Sequence, residues 1–371
     1  MDLHKKPFDE GTIAKLEIFE DYAQAWLPTF LMQPNVKEVA IYDFFSGVGY
    51  DVNNIPGSPI RLLTKIKEQI GLIFQSKTKI NLHLNEFEPH KISQPKFEKL
   101  KLACQEFLTN NKDVARAITI IYHNEDADIL FANLLPTIKK FPSLIYLDQN
   151  GVKFLADNIL LELEKLRQTD FLYFISSSYF KRFSNEFKEM FGLDMEIVKT
   201  QPYKFIHRVV VDKLKSKFPQ TSELKVYPYS IKKPNNPNIY GILFGAKHPR
   251  AVDKFLNISW KKNSLNGQAN YDIDDDINNK ISYDLFEGKK LTKIQKFQDI
   301  LKEKVLNSEL LDNKSILDFS YSEGHIPSHA SDILKKMKKS KLIDFNGVSP
   351  LVTYDNVYKN NRFISYKILK L

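Results

Sequence analysis

The stretch Asp43–Pro59, DFFSGVGYDVNNIPGSP, decides how this 371-residue chain is read. Before it stands VKEVAIY (36–42), a β-branched and aromatic run. After it, IRLLTKIKEQIGLIF (60–74) places apolar residues at helical spacing. Strand, glycine-bearing turn and helix together form a common holder for nucleotide-type cofactors. Gly47 and Gly49 permit a tight turn and a close approach of backbone to ligand. The turn is not G-x-G-x-x-G, because Val52 stands three residues beyond Gly49, and no G-K-[ST] follows. A dinucleotide site and an NTP phosphate site are therefore both disfavoured.

Outward from this turn, strands alternate with helices. TIAKLEIFEDYAQAWLPTFL (12–31) reads as a lead-in helix. KINLHLNEF (79–87), VARAITIIYHNED (114–126), PSLIYLDQNG (142–151) and TDFLYFISSS (169–178) read as strands. PKFEKLKLACQEFLTN (95–110), ILFANLLPTIKK (129–140) and VKFLADNILLELEKL (152–166) read as the intervening helices. IYGILFGAKH (239–248) is a sixth strand, and YPYSIKKPNNPN (227–238) before it is an insertion or a hairpin. The alternation predicts an α/β fold with a parallel, Rossmann-like sheet and right-handed crossovers.

The composition then changes. YDIDDDINNK (271–280) is acidic, has no periodicity and lacks the glycine and distal glutamate of an EF-hand loop, so it reads as a solvated linker. LTKIQKFQDILKEKVLN (291–307) is a helix, KSILDFSYSEG (314–324) a short helix or turn, and IPSHASDILKKMKKSKLIDF (326–345) a helix running into a strand. Asn346-Gly347 signals a hairpin. Three helices and a β-ribbon are the order of a winged helix. The expected organisation is a lead-in helix at 1–35, an α/β domain at 36–265, a linker at 266–285 and a winged helix at 286–371.

Formal net charge is +9, compatible with a polyanionic partner and equally with a lysine- and asparagine-rich proteome. From Phe286 onward there are 16 basic and 10 acidic residues, a net of +6 that points to nucleic acid. In the last long helix Ser328 is the expected N-cap, and Ile333, Leu334 and Met337 share the apolar face. Lys335, Lys336, Lys338 and Lys339 lie off that face and are the expected phosphate contacts. His325 and His329 lack an evident third ligand, so no metal is expected. Cys104 is the single cysteine, expected as a packed core thiol. No apolar run approaches the roughly 18 residues of a membrane span, and no apolar leader is visible, so the cytoplasm is the expected compartment.

DFFSGVG resembles the first motif of S-adenosylmethionine-dependent methyltransferases, D-x-F-x-G-x-G, in Asp43, Phe45, Ser46, Gly47 and Gly49. The resemblance implies that this turn surrounds the methionine part of S-adenosylmethionine. It implies next an acidic residue ending the second strand to bind the ribose hydroxyls, and Glu86 is the choice, beside Asn85 and Glu88. At the third strand's end Asn124 or Asp126 would face the adenine amine, unless Asp126 or Asp128 caps the next helix.

Taken in order, the motifs resemble the three-Cys-motif partner family, a bacterial group with a methyltransferase-like core. Thr12, Lys15, Tyr22 and Trp26 match its lead-in helix, and Gly57-Ser58-Pro59 its G-S-P, which brings Ser58 to the cofactor. YLDQNGVKF (146–154) stands where the family has D-P-[FY]-G, and YGILFGAKHPRAVDKFLNISWKK (240–262) matches its K-H-P segment, with Ala251 in place of glycine. The resemblance implies a partner with a three-cysteine motif and a role in nucleic-acid modification or phage defence. It also implies that Asp148 and Asn150 would position the target amine of a base. Asp148-Gln149-Asn150-Gly151 departs from the [DN]-P-P-[YF] of amino methyltransferases, since the proline and the aromatic are missing. The alternative is a catalytically degenerate subunit that binds nucleic acid or scaffolds a partner enzyme.

Overall fold

The computed structural model describes residues 6–89, 94–148, 158–177, 200, 202–233, 238–281, 283–284 and 288–369. The chain forms two compact units, Met1–Lys247 and His248–Leu371. The boundary falls before the helix at 249–262, which lies in the second unit.

The first unit is built on one seven-stranded sheet. In chain order its elements are α1 (Glu10–Leu31), β1 (Glu38–Asp43), α2 (Ser58–Glu68), α3 (Ile70–Ser76), β2 (Lys79–Asn85), α4 (Pro95–Asn110), α5 (Lys112–Ala117), β3 (Ile118–His123), α6 (Ala127–Ile138), β4 (Ser143–Leu147), α7 (Asn158–Lys165), β5 (Thr169–Ser176), α8 (Ile206–Lys217), β6 (Lys225–Lys232) and β7 (Ile239–Ala246). The strand order is β3-β2-β1-β4-β5-β7-β6. Strands β1 to β5 pair in parallel, and β7 runs antiparallel to both β5 and β6. The sheet is thus mixed and mostly parallel, of the Rossmann-like kind. β4 is buried along its whole length, as befits a strand covered on both faces.

Of the segment 227–238, residues 227–232 lie in β6, which pairs antiparallel with β7, and 234–237 lie outside the described residues. Pro228 is tolerated because β6 is the sheet edge, where a missing donor costs no ladder bond. The expected third strand is shorter than its sequence pattern. Val114-Ala115-Arg116-Ala117 is helical, because the unbroken β-branched run starts only at Ile118. The helix after the turn breaks at Gln69 into α2 and α3. α1 is docked by buried polar contacts as well as apolar ones. The Tyr22 hydroxyl donates to Asp170 Oδ2 at 2.7 Å, and the Tyr146 hydroxyl donates to the Phe19 carbonyl at 2.6 Å. Cys104 is fully buried, the core thiol expected.

The second unit comprises α9 (Pro249–Lys262), α10 (Asp276–Ile281), the two-residue strands β8 (Tyr283–Asp284) and β9 (Gly288–Lys289), α11 (Lys293–Leu306), α12 (Asn313–Ser322), α13 (Pro327–Lys339), β10 (Ile343–Asp344) and β11 (Lys367–Ile368). The acidic stretch is no solvated linker. Asn266, Ala269, Ile273 and Asp276 are buried. Its carboxylates satisfy helix-start N–H groups: Asp272 accepts from Asp276 and Ile277, and Asp276 accepts from Lys293. Residues 314–324 are mostly a full helix, capped by Asp312.

Two local expectations are overturned. Ile326, not Ser328, is the N-cap of α13, because Pro327 occupies the first helical position and pulls the helix start forward. Asn346-Gly347 does not close a tight hairpin. β10 pairs with β11 through Ile343↔Ile368, and the chain between includes a helical turn at Asp355–Lys359. Pro350 cannot donate to a ladder, so the returning strand cannot begin there. Asn313, fully buried, holds this long connection instead. Its amide donates to the carbonyls of Leu351 and Arg362, and its oxygen accepts from Ile364 N–H. Asn313→Ala strands these three backbone groups and is expected to destabilise the second unit by about 2–4 kcal/mol, read as a lowered urea midpoint of the full chain.

Candidate functional site

The sheet order reverses between β1 and β4, and in open α/β sheets the crevice outside the carboxyl ends at that point is the ligand site. The turn after β1 is built around buried Asp43. Its Oδ2 accepts from Ser58 Oγ at 2.6 Å and its Oδ1 from Phe45 N–H at 3.2 Å. Ser46 Oγ donates back to the Asp43 carbonyl at 3.0 Å. Gly47 and Gly49 have φ of +67° and +95°. Gly49 is required twice, since a Cβ there would stand 2.6 Å from Ala103 Cβ on α4. Gly57 N–H donates to the Gly49 carbonyl at 2.8 Å, closing the loop onto the start of α2.

Glu86 reaches this loop from the end of β2, its Oε2 accepting from Gly47 N–H at 2.9 Å. Burial pushes the Glu86 carboxyl up to about 7 and that of Asp43 up to about 6. The charge of Asp43 raises Glu86 further, and that of Asp148 raises Asp43. The crevice therefore gathers carboxyl groups whose charge burial makes costly, a setting that suits a ligand offering hydrogen-bond donors or positive charge.

Asn85, at the end of β2, ties three strand ends together. Its amide donates to the carbonyls of Phe44 and Glu125, and its oxygen accepts from Glu125 N–H. The sequence places Asn85 only beside Glu86. An asparagine that ends a strand is the one signal along the chain that points to this role. At the end of β3 the structure separates the two candidates. Asp126 caps α6, its Oδ1 accepting from Asp128 N–H. Asn124 Oδ1 accepts from Glu88 N–H at 2.8 Å, which uses one of its two acceptor positions. Its Nδ2 is buried and has no hydrogen-bond partner among the described residues. That donor suits a ring nitrogen.

Asp148 follows β4 and forms an ion pair with Lys15 of α1. Burial raises the Asp148 carboxyl above its ordinary range even so. Asn150 lies outside the described residues.

In the second unit Lys335, Lys336 and Lys339 are exposed on α13. Lys338 is not part of that set. It donates to the carbonyls of Phe345 and Gly347, pairs with Asp344 at 3.1 Å and lies 4.2 Å from the Phe345 ring centroid. Its position at the helix end lets it tie down the following turn. His325 and His329 bond each other, Nδ1 to Nδ1 at 2.9 Å, and His325 stacks on Phe297 with centroids 4.0 Å apart. Burial depresses them to about 2 and about 4, so this is a neutral core pair.

Residues 270–349 match the family model described as the GMT-like wHTH domain. The second unit thus contains a winged-helix domain, an architecture compatible with nucleic-acid binding. No curated protein matches the chain. No helix among the described residues is long and apolar enough to cross a membrane.

Because Asp43 and Glu86 bind protons more tightly folded than unfolded, their stabilising contribution is complete below the ordinary carboxyl range, around pH 4. It is lost as pH rises through about 6 and about 7. Glu86→Gln is therefore expected to be stabilising relative to the parent at pH 8 and close to neutral at pH 4.5, measured by denaturant unfolding at both pH values.

Proposed function

We propose that this is a nucleic-acid-directed protein that holds S-adenosylmethionine in the crevice between β1 and β4 and engages nucleic acid through its winged-helix domain. The observation that carries the reading is the acidic crevice formed by Asp43, Glu86 and the Gly47–Gly49 turn. S-adenosylmethionine bears an ammonium and a sulfonium, so it offsets the charge that burial makes costly there, whereas a dinucleotide would add to it. Asp43, with Phe45, Ser46 and Ser58 shaping the turn, would hold the methionine part. A carboxylate has about four acceptor positions, so Glu86 can keep its bond from Gly47 and accept a ribose diol. Asn124 Nδ2 would donate to an adenine ring nitrogen, beside Asp126 at the start of α6. A reversed strand beside the fifth parallel strand is also the arrangement of the methyltransferase class that the loop resembles, which is fold-level analogy.

When bound, the cofactor supplies an electrophilic methyl group. The chain's part would be orientation of a base amine by Asp148 and exclusion of water. Extrusion of the base would be needed for a duplex target. A three-Cys-motif partner and a place in nucleic-acid modification or phage defence follow from the family resemblance alone.

One observation favours a second reading. Asp148 is already held by Lys15, as a degenerate core that only binds or scaffolds would permit.

Calorimetric titration with S-adenosylmethionine separates the readings. Binding is expected, abolished in Asp43→Ala and retained in Asp148→Ala, and no heat at millimolar ligand would end the proposal. For the winged helix, Lys335→Glu with Lys339→Glu is expected to weaken duplex binding and to lower the log–log salt slope by about 2, one for each phosphate no longer neutralised. Unchanged affinity and slope would point to protein docking on this face.

A further inference from the structure

The two edges of the seven-stranded sheet are protected to very different degrees. At one edge, β6 is buried except for a lysine at each end, carries Pro228 and is packed by α1 and α8. Those are the usual defences of an edge strand. At the other edge, β3 has none of them. Its sequence ITIIYH holds no proline, lysine or carboxylate, and none of its 6 residues is buried. Its ladder to β2 uses alternate residues. Glu86 N–H donates to the His123 carbonyl and His123 stands opposite Asn85, so His123, Ile121 and Thr119 turn their backbone groups toward β2. The N–H and C=O groups of Ile118, Ile120 and Tyr122 point off the sheet and have no partner among the described residues. Such a row of donors and acceptors is a template for one more strand.

We infer that the missing strand is β3 of a second copy of this chain, antiparallel across a two-fold axis that passes through Ile120. On that axis Ile120 faces Ile120 of the second copy, and Ile118 faces its Tyr122. Each of these is a hydrogen-bonded pair that exchanges both of its N–H···O bonds, so every outward group of β3 is satisfied. Moving the axis one residue on, to Ile121, would set Ile118 opposite Asn124, beyond the strand. The flanking charges agree with the antiparallel sense. The exposed Arg116 leads into β3 and the exposed Glu125 follows it. Antiparallel pairing brings the Arg116 end of each copy to the Glu125 end of the other, whereas a parallel copy would set like charges side by side. Between those ends, Thr119 to Tyr122 carry no charge that a copy of the strand would repel. An edge left open in this way invites uncontrolled pairing, and a closed two-fold pair removes the hazard because neither copy keeps an outer side of β3. Since the copies run antiparallel, the carboxyl ends of their parallel strands open on opposite sides of the joined sheet, and the two crevices do not face each other.

The inference depends neither on the cofactor nor on nucleic acid, and its test is sedimentation equilibrium of the full chain alone. A species of twice 43.2 kDa is expected at micromolar concentration. Ile120→Pro removes an N–H that points away from β2, so it is expected to keep the circular dichroism of the parent and to sediment as a monomer. Ile120→Cys is expected to give a disulfide-linked dimer on mild oxidation, because the Cα atoms of a hydrogen-bonded pair stand about 5.5 Å apart, within disulfide reach. Ile118→Cys, whose counterpart on the second copy lies at the far end of the strand, is expected not to cross-link. Cys104 is buried and stays out of the reaction. Should Ile120→Pro not fold, amide exchange of the parent chain still decides, with Ile118, Ile120 and Tyr122 expected to exchange severalfold more slowly in the dimer than after dilution to monomer. A monomer at every concentration, a dimer untouched by Ile120→Pro, or equal cross-linking at Ile118 and Ile120 would overturn the inference. The first of these outcomes would leave the edge to an extended segment of a different protein.

Discussion

Asp43 and Asp148 stand at the ends of neighbouring parallel strands, largely removed from water, and much of the first unit is arranged to tolerate that charge. A buried carboxylate is costly unless it is hydrogen-bonded or paired. Asp43 is met by Ser58 and by Phe45 N–H, which brings α2 and the turn to their positions. Asp148 is met by Lys15, which fixes one turn of α1 against the sheet. Glu86 adds a third carboxyl and takes the Gly47 N–H that the turn leaves pointing inward. Loop, lead-in helix and second strand are thus coupled through acidic side chains and not only through apolar packing.

The same constraint sets the electrostatics of the crevice, where burial raises two carboxyls to about 6 and about 7. The exposed lysines Lys335, Lys336 and Lys339 stand on α13 of the second unit.

In the second unit the organising device is different. The winged-helix helices start on side-chain caps, Asp276 and Thr292 for α11 and Asp312 for α12, and the long connection between β10 and β11 is held by the Asn313 amide together with Lys338 and the Tyr366 hydroxyl. With two-residue strands the ladder contributes little, and the shape of the wing depends on side chain to backbone bonds. Lys338 belongs to this structural set, through its bonds to the Phe345 and Gly347 carbonyls.

The sequence by itself determined the alternation of β-branched runs and helical patterns, hence the parallel sheet, and it marked the DFFSGVG turn through residues whose requirements are local. Gly47 and Gly49 announce positive φ, and a carboxylate at a strand end announces a polar terminus. It also marked the winged helix by element order and basic charge. The tertiary structure alone decided which distant groups meet. Lys15 and Asp148 are separated by 133 residues, and Phe174 and Tyr240 become neighbours only because β7 runs antiparallel beside β5. Asn124 and Asp126 are indistinguishable as strand-end polar residues until hydrogen bonding assigns one to a loop and the other to a helix start. The acidic stretch at 271–280 looks solvated because composition reports charge, whereas burial depends on which N–H groups those carboxylates find. Periodicity and turn chemistry are short-range properties and can be read along a chain, while pairing across a sheet is set by strand order and by the cost of leaving a buried charge alone.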